Sequence, residues 1–178
     1  MKRQSDEIFD ELLVLRCQSG DGKALAILVK RWHKKLLRHA NRHLQDSEAS
    51  KDVVQECWQV VIKGISKLKD PSRFGVWVLS ITRKKAIDSI RKRQVVRRTE
   101  LNTELTEAMH ESHDHIEMMM NKMKRALAEL PDNQRLVLSM FYSDGHPIAE
   151  IAIILGIPIG TVKSRLYHGR EHLKTLMK

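Results

Sequence analysis

The stretch from Ile148 to Leu176 constrains this chain more than any other. It reads IAEIAIILG, a short IPIG turn, then TVKSRLYHGREHLKTL. Ile148, Ile151, Ala152 and Leu155 recur at i, i+3, i+4 and i+7, which lines one face of a short helix. Gly156 follows as its stop, since glycine takes the left-handed conformation without strain. Val162, Leu166, Gly169, Leu173 and Leu176 mark the buried stripe of a second helix, with Gly169 admitting a close neighbour. The opposite side offers Ser164, Tyr167, His168 and Glu171, flanked by Lys163 and Arg170. An apolar stripe alone is ordinary core. Stripe, glycine turn and basic outer face together predict a helix-turn-helix.

The rest of the composition agrees with a helical protein that meets an anion. The net charge is +10 over 178 residues, which calls for nucleic acid, a membrane surface or an acidic protein as partner. Four prolines, eight glycines and long 3.6-residue periods favour an all-α fold. No uncharged apolar run reaches the ~18 residues of a bilayer span, and MKRQSDEIFDELL has acids where a signal peptide needs its apolar centre. The expected location is the cytoplasm, without membrane insertion. Cys17 and Cys57 fall inside apolar helical patterns and read as reduced core thiols.

Phe9, Leu12, Leu13 and Cys17 predict a first helix with those residues inward, ended by Ser19 and Gly20. Asp21 is the expected N-cap of a second, whose buried stripe runs Leu25, Leu28, Val29, Trp32, Leu36 and Ala40. Lys30, Arg31, Lys34, Lys35 and Arg38 decorate its outside, where a solvated basic face and a DNA contact are equally good readings. His33, His39 and His43 lack clustered acids or cysteines and read as surface or rim histidines. Ser50 to Leu68 predicts a third helix with Val54, Cys57, Trp58, Val61, Ile65 and Leu68 inward. Asp52, Gln55, Glu56 and Gln59 form a polar, acid-bearing stripe on its other side, either a solvated face or a dock for a basic partner helix.

Pro71 fits a turn or a helix start, and Phe74 to Arg93 predicts a fourth helix that changes character midway. Phe74, Trp77 and Ile81 lie on one side of its first half, Val76 and Leu79 on the other. Further along, Ala86, Ile87 and Ile90 stay inward while Lys84, Lys85, Asp88, Arg91 and Lys92 share the outward side. Asp88 is the only acid between Arg83 and Arg98, so this end should bind phosphates by releasing counterions. Thr99 to Asn121 holds Glu100, Glu104, Glu107, Glu111, Asp114 and Glu117 with no lysine or arginine, which reads as a flexible acidic linker between two domains. His110, His113 and His115 within it match no closed zinc site, so no metal and no other cofactor is expected. A methionine-rich stripe of Ile116, Met119, Met120, Met123, Leu127 and Leu130 then opens the second domain. Pro131 starts a helix with Leu136, Val137, Met140 and Phe141 inward, closed by Gly145. The last ~60 residues thus read as a four-helix domain whose final helix is aimed at a groove.

With both halves laid out, the chain resembles a bacterial RNA polymerase sigma factor of the extracytoplasmic-function group. DVVQECWQVVI resembles that family's polymerase-docking helix and FGVWVLSITRKKAIDSIRKR the helix that engages the minus-10 element. ALAELPDNQRLVL and GIPIGTVKSRLYHGREHL resemble its minus-35 domain. The resemblance implies a region 2 domain over 1–98, an acidic linker over 99–121 and a region 4 domain over 122–178. It implies that Asp52, Gln55, Glu56 and Gln59 face the basic clamp helices of the largest polymerase subunit, and that region 4 meets the flap of the second-largest. Lys84, Lys85, Asp88, Arg91, Lys92 and Arg93 fall on the minus-10 helix. Lys163, Ser164, Tyr167 and His168 would meet bases or the adjoining backbone of promoter DNA, with Arg165 and Arg170 nearer phosphates. An anti-sigma protein as inhibitor is implied as well.

Three positions depart from the family's pattern. Lys84 stands where asparagine is common, near the pocket for a flipped base, and a lysine offers donors but no acceptor. HPIAEIA replaces a serine-led helix start, which leaves Pro147 to fix the backbone angle. His168 stands where an arginine is frequent. Two competing readings are a self-sufficient operator-binding regulator and a metal hydrolase built on the linker histidines. The second lacks paired ligands on rigid elements and a nucleophile with its base.

Overall fold

A computed structural model describes residues 2–97, 122–123 and 125–177, with side chains from residue 5 to 93 in the first stretch. These residues are predominantly helical and include no strand. They belong to two compact units, one within Met1–Thr99 and one within Glu100–Lys178. The linker readings, including the acids and histidines over 99–121, lie outside the described residues.

The first unit packs α1 (Lys2–Gln18), α2 (Gly22–Leu44), α3 (Ser47–Gly64) and α4 (Phe74–Arg97), with 3-10 turns at Ile65–Lys67 and Pro71–Arg73. Asp21 caps α2 as expected, accepting from the Lys23 and Ala24 amides, and Asp46 caps α3 through the Ala49 amide. These carboxylates satisfy donors that a helix start leaves open. Leu28, Leu36, Val54, Cys57, Val61, Phe74, Val78 and Ala86 meet in the core of α2, α3 and α4. At the entry to α4, Gly75 lies so close to the Trp32 ring that a Cβ there would fall 2.7 Å from it.

Several inward assignments need correction. In α1 it is Asp10, Leu13 and Val14 that are buried, whereas Phe9 and Leu12 are 42% and 50% exposed. Asp10 turns inward because it accepts from the Trp32 indole at 3.0 Å and from Arg31 at 2.6 Å, which rotates the helix away from Phe9 and Leu12. Leu25 and Val29 are only half-buried, and Ala24 and His39 take the inward positions on α2. His39 is therefore a core histidine and not a rim one. In α4, Trp77, Ile81, Val76, Ile87 and Ile90 are half-buried around Val78, Leu79, Thr82 and Ala86. Leu68 is half-buried too, because the α3 periodicity breaks at the 3-10 turn beginning at Ile65.

The second unit contains helical residues 122–123 and 125–129, α5 (Asp132–Leu138) running into a π-helical turn at Ser139–Ser143, α6 (Ile148–Leu155) and α7 (Ile159–Met177). Pro147 sits at the start of α6 with φ −59 and no side-chain cap. Gly156 ends that helix in the left-handed region at φ 57, as its position predicts. Met140, Val137, Leu138, Ile151, Ile154, Leu155, Val162 and Leu166 form the core. Met123 is 40% exposed, so it does not join the core stripe, which at this end is Ala126 and Leu130; Leu127, Leu136 and Phe141 are half-buried. Gly169 is buried on α7, and a Cβ there would meet Leu138 Cδ1 at 2.8 Å. The close approach expected of this glycine is the packing of α7 on α5.

Candidate nucleic-acid and polymerase interface

The polar stripe on α3 is continuous and turned to solvent. Asp52, Gln55, Glu56 and Gln59 are all exposed, because Val53, Val54, Cys57 and Trp58 hold the opposite side in the core. On α4, Lys84, Arg91, Lys92 and Arg93 are exposed, while Lys85 and Asp88 are half-buried. The buried Cys57 anchors these two helices to each other: its Sγ lies 3.2 Å from Thr82 Oγ1, and Thr82 in turn donates to the Val78 carbonyl at 2.9 Å. Burial pushes the Cys57 thiol up, which suits an inert core group.

Two of the α4 cations already have acid partners. Lys85 donates to Glu56 at 2.8 Å, so a residue of the expected DNA helix is paired with one of the expected docking stripe. That hydrogen bond lowers the Glu56 carboxyl from its ordinary value and raises the Lys85 ammonium. Arg93 donates to Asp46 at 2.8 Å, and the α3 cap carboxylate is lowered first by its backbone amide bond and then by this arginine. Lys84 and Arg91 are exposed with no carboxylate partner among the described residues, and Lys92 is exposed with its charge acting on the Glu56 carboxyl.

Sequence reasoning missed how α2 and α4 meet at one end. His43 is pushed down to about 4, by burial first and then by the charges of Arg83 on α4 and Arg42 on α2. His39 and His43 stack edge to face with centroids 5.1 Å apart. The available signal was the i, i+4 spacing of two histidines on a helix whose inward stripe passes between them.

In the second unit, Lys163, Ser164, Tyr167, His168 and Arg170 are exposed along α7, and Arg165 is half-buried. Ser164 Oγ donates to the Thr161 carbonyl at 3.1 Å and Arg170 Nε to the Leu166 carbonyl at 3.2 Å, so both keep further capacity for a ligand. The Tyr167 and His168 rings stand edge to face at 5.3 Å, forming one aromatic ledge. The docking and minus-10 candidates share the first unit; the minus-35 candidates occupy the second. Among the described residues, no helix is long and apolar enough to cross a membrane, and no group of three or more His, Cys, Asp or Glu could hold a metal ion.

Comparison with known proteins agrees with this layout. Residues 28–95 match the family described as Sigma-70 region 2, and residues 120–173 that described as Sigma-70, region 4. The chain is 28% identical to the ECF RNA polymerase sigma-E factor of Escherichia coli (strain K12), over 94% of this chain and 93% of that protein. It is likewise 28% identical to the RNA polymerase sigma-H factor of Pseudomonas aeruginosa, over 91% and 90%. Two solved structures share the fold. One is CnrH in complex with the cytosolic domain of CnrY, at TM-score 0.65 and 23% identity over 94% of this chain and 96% of that one. The other is the sigma factor RpoE in complex with the anti-sigma factor NepR from Bartonella quintana, at TM-score 0.66 and 22% identity over 86% and 96%. With both regions in sequence order and relatives aligned along nearly the whole length, the chain belongs to the extracytoplasmic-function group of RNA polymerase sigma factors, which initiate transcription and are not enzymes.

Proposed function

We propose that this alternative sigma factor directs promoter-specific initiation by dividing three contacts between its units. Asp52, Gln55, Glu56 and Gln59 on α3 dock on the clamp helices of core polymerase. Lys84, Lys85, Asp88, Arg91, Lys92 and Arg93 on α4 take the minus-10 element as the duplex opens. Extruding a base costs a few kcal/mol, which polymerase binding and the cationic helix together must offset. On α7, Lys163, Ser164, Tyr167 and His168 read minus-35 base edges in the major groove, while Arg165 and Arg170 fix the pose on phosphates. The domains doing this are 1–98 and 122–178, joined by the acidic linker over 99–121.

The observation that supports this reading best is the arrangement on the first unit: an exposed acidic and amide stripe on α3 beside an exposed cationic run on α4, bridged by Glu56 and Lys85. A protein that only bound an operator would have no need of the acidic stripe. The flap of the second-largest subunit is the expected contact of the second unit, and the cytoplasm is where this work takes place. Because RpoE of Bartonella quintana was solved with an anti-sigma factor, we extend that mode of control to this chain.

The test is reconstitution. Purified protein with core polymerase and genomic DNA should give discrete transcripts, and Asp52→Lys combined with Gln55→Ala should abolish association with core. Operator-like binding that survives this double change, with no transcripts from the unaltered protein, would replace the proposal by the stand-alone regulator.

A further inference from the structure

We infer that the outward face of α2 is a second DNA-backbone surface, separate from the minus-10 and minus-35 contacts. The helix Gly22–Leu44 contains no Asp or Glu at all. Lys23, Lys30, Lys34 and Arg38 fall at i, i+7, i+11 and i+15, which places them on one side of the helix, opposite Leu28, Trp32 and Leu36. All four are exposed, and none has a carboxylate partner among the described residues. Arg31 differs in being held by Asp6 and Asp10, and Lys35 in lying 4.5 Å over the Trp32 ring. The unpaired row is therefore distinct from the cations that hold the fold together.

Like charges at i, i+4, as in Lys30 with Lys34 and Lys34 with Arg38, repel and weaken a helix. A stripe with no compensating acid is relieved when an anion lies along it. The row spans about 22 Å at 1.5 Å per residue, long enough to follow several phosphates of a duplex, which carries one charge per ~1.7 Å of axis. Three of the four are lysines, point charges without the planar fork that matches a carboxylate, so the row suits sequence-independent backbone contact. Ile27, 44% exposed, is its apolar interruption and too small for the buried anchor a protein partner would need. α2 packs against α4, the helix already assigned to DNA, so both surfaces belong to one unit. The inference extends that assignment, but its test does not depend on it.

The test uses the full chain with Lys23→Gln, Lys30→Gln, Lys34→Gln and Arg38→Gln combined, exposed changes whose folding is checked by circular dichroism. Affinity for a duplex of arbitrary sequence is followed against salt for the chain alone, and promoter binding for the holoenzyme. The log–log salt slope should become shallower by about 3 to 4, near 0.9 per lost phosphate contact. The ranking of promoters by the holoenzyme should not change. An unchanged slope overturns the inference. So does a loss of affinity for core polymerase with the slope intact, which would make α2 a surface for an acidic protein. Failure of the unaltered chain to select promoters would sink the proposed function instead, while the slope on arbitrary duplex would still decide the role of α2.

Discussion

Lys85 Nζ lies 2.8 Å from Glu56 Oε2, and this pair joins the cationic helix of the first unit to its acid-bearing one. Both side chains are partly exposed, at 32% and 48%, so the pair should contribute only about 0 to 1 kcal/mol to folding. Glu56→Gln, Lys85→Gln and the double change should all melt within a few degrees of the parent. Binding should separate them: Glu56→Gln weakens association with core polymerase, and Lys85→Gln weakens opened minus-10 DNA. A double-mutant cycle on stability giving more than about 1.5 kcal/mol of coupling would show the pair to be structural.

Gly160 and Gly169 lie nine residues apart on α7 and should respond in opposite ways to alanine. A Cβ at Gly160 meets nothing within 4 Å, so Gly160→Ala should stabilise the second unit by roughly 0.5 to 1 kcal/mol through helix propensity. At Gly169 the same atom meets Leu138 Cδ1 at 2.8 Å and Cγ at 3.2 Å, and Leu138 is itself only 3% exposed. Gly169→Ala should therefore destabilise by about 1 to 3 kcal/mol and weaken minus-35 binding with it. Calorimetry of the two variants checks both signs.

Asp10 should matter more to the first unit than any exposed acid does. It accepts from both the Trp32 indole and Arg31, and its side chain is only 10% exposed. Asp10→Ala leaves those donors without their acceptor and should cost about 2 to 4 kcal/mol. Asp10→Asn should recover part of that, since an amide oxygen can still accept one of the two bonds. Urea denaturation of the pair of variants reads the difference.

The same residue shows why α1 was the helix least legible in the sequence. Ile8, Leu12 and Leu15 make one apolar stripe and Leu13, Val14 and Cys17 another, so periodicity alone does not say which is inward. The choice falls to a polar group, Asp10, whose burial depends on a tryptophan and an arginine about twenty residues away. His39 escaped for the same reason: at 2% exposure its place is set by packing, not by residue type. By contrast α3 and the α6 to α7 turn were legible because one side of each is apolar, the other polar, and a cap or glycine marks an end. Which candidate cations are paired with acids of the same unit, as Lys85 and Arg93 are, depends on α3 and α4 lying side by side, and no local pattern encodes that.

His43 predicts how the first unit responds to acid. Its folded value is pushed down from 6.5 to about 4 by burial and by Arg83 and Arg42. The unfolded chain therefore takes up a proton at a pH where the folded one does not. Above about pH 6.5 both states are neutral at this site and stability is flat. From there down to about 4 the unfolded state gains progressively, by at most about 3 kcal/mol in total, and below 4 the loss levels off. Carboxylates such as Asp46, held below their ordinary value, act in the same direction but at lower pH. His43→Gln removes the titrating group while keeping a polar side chain. Its stability should change less between pH 7 and 5 than the parent's, and denaturation midpoints taken across that window would expose parallel curves if another group were responsible.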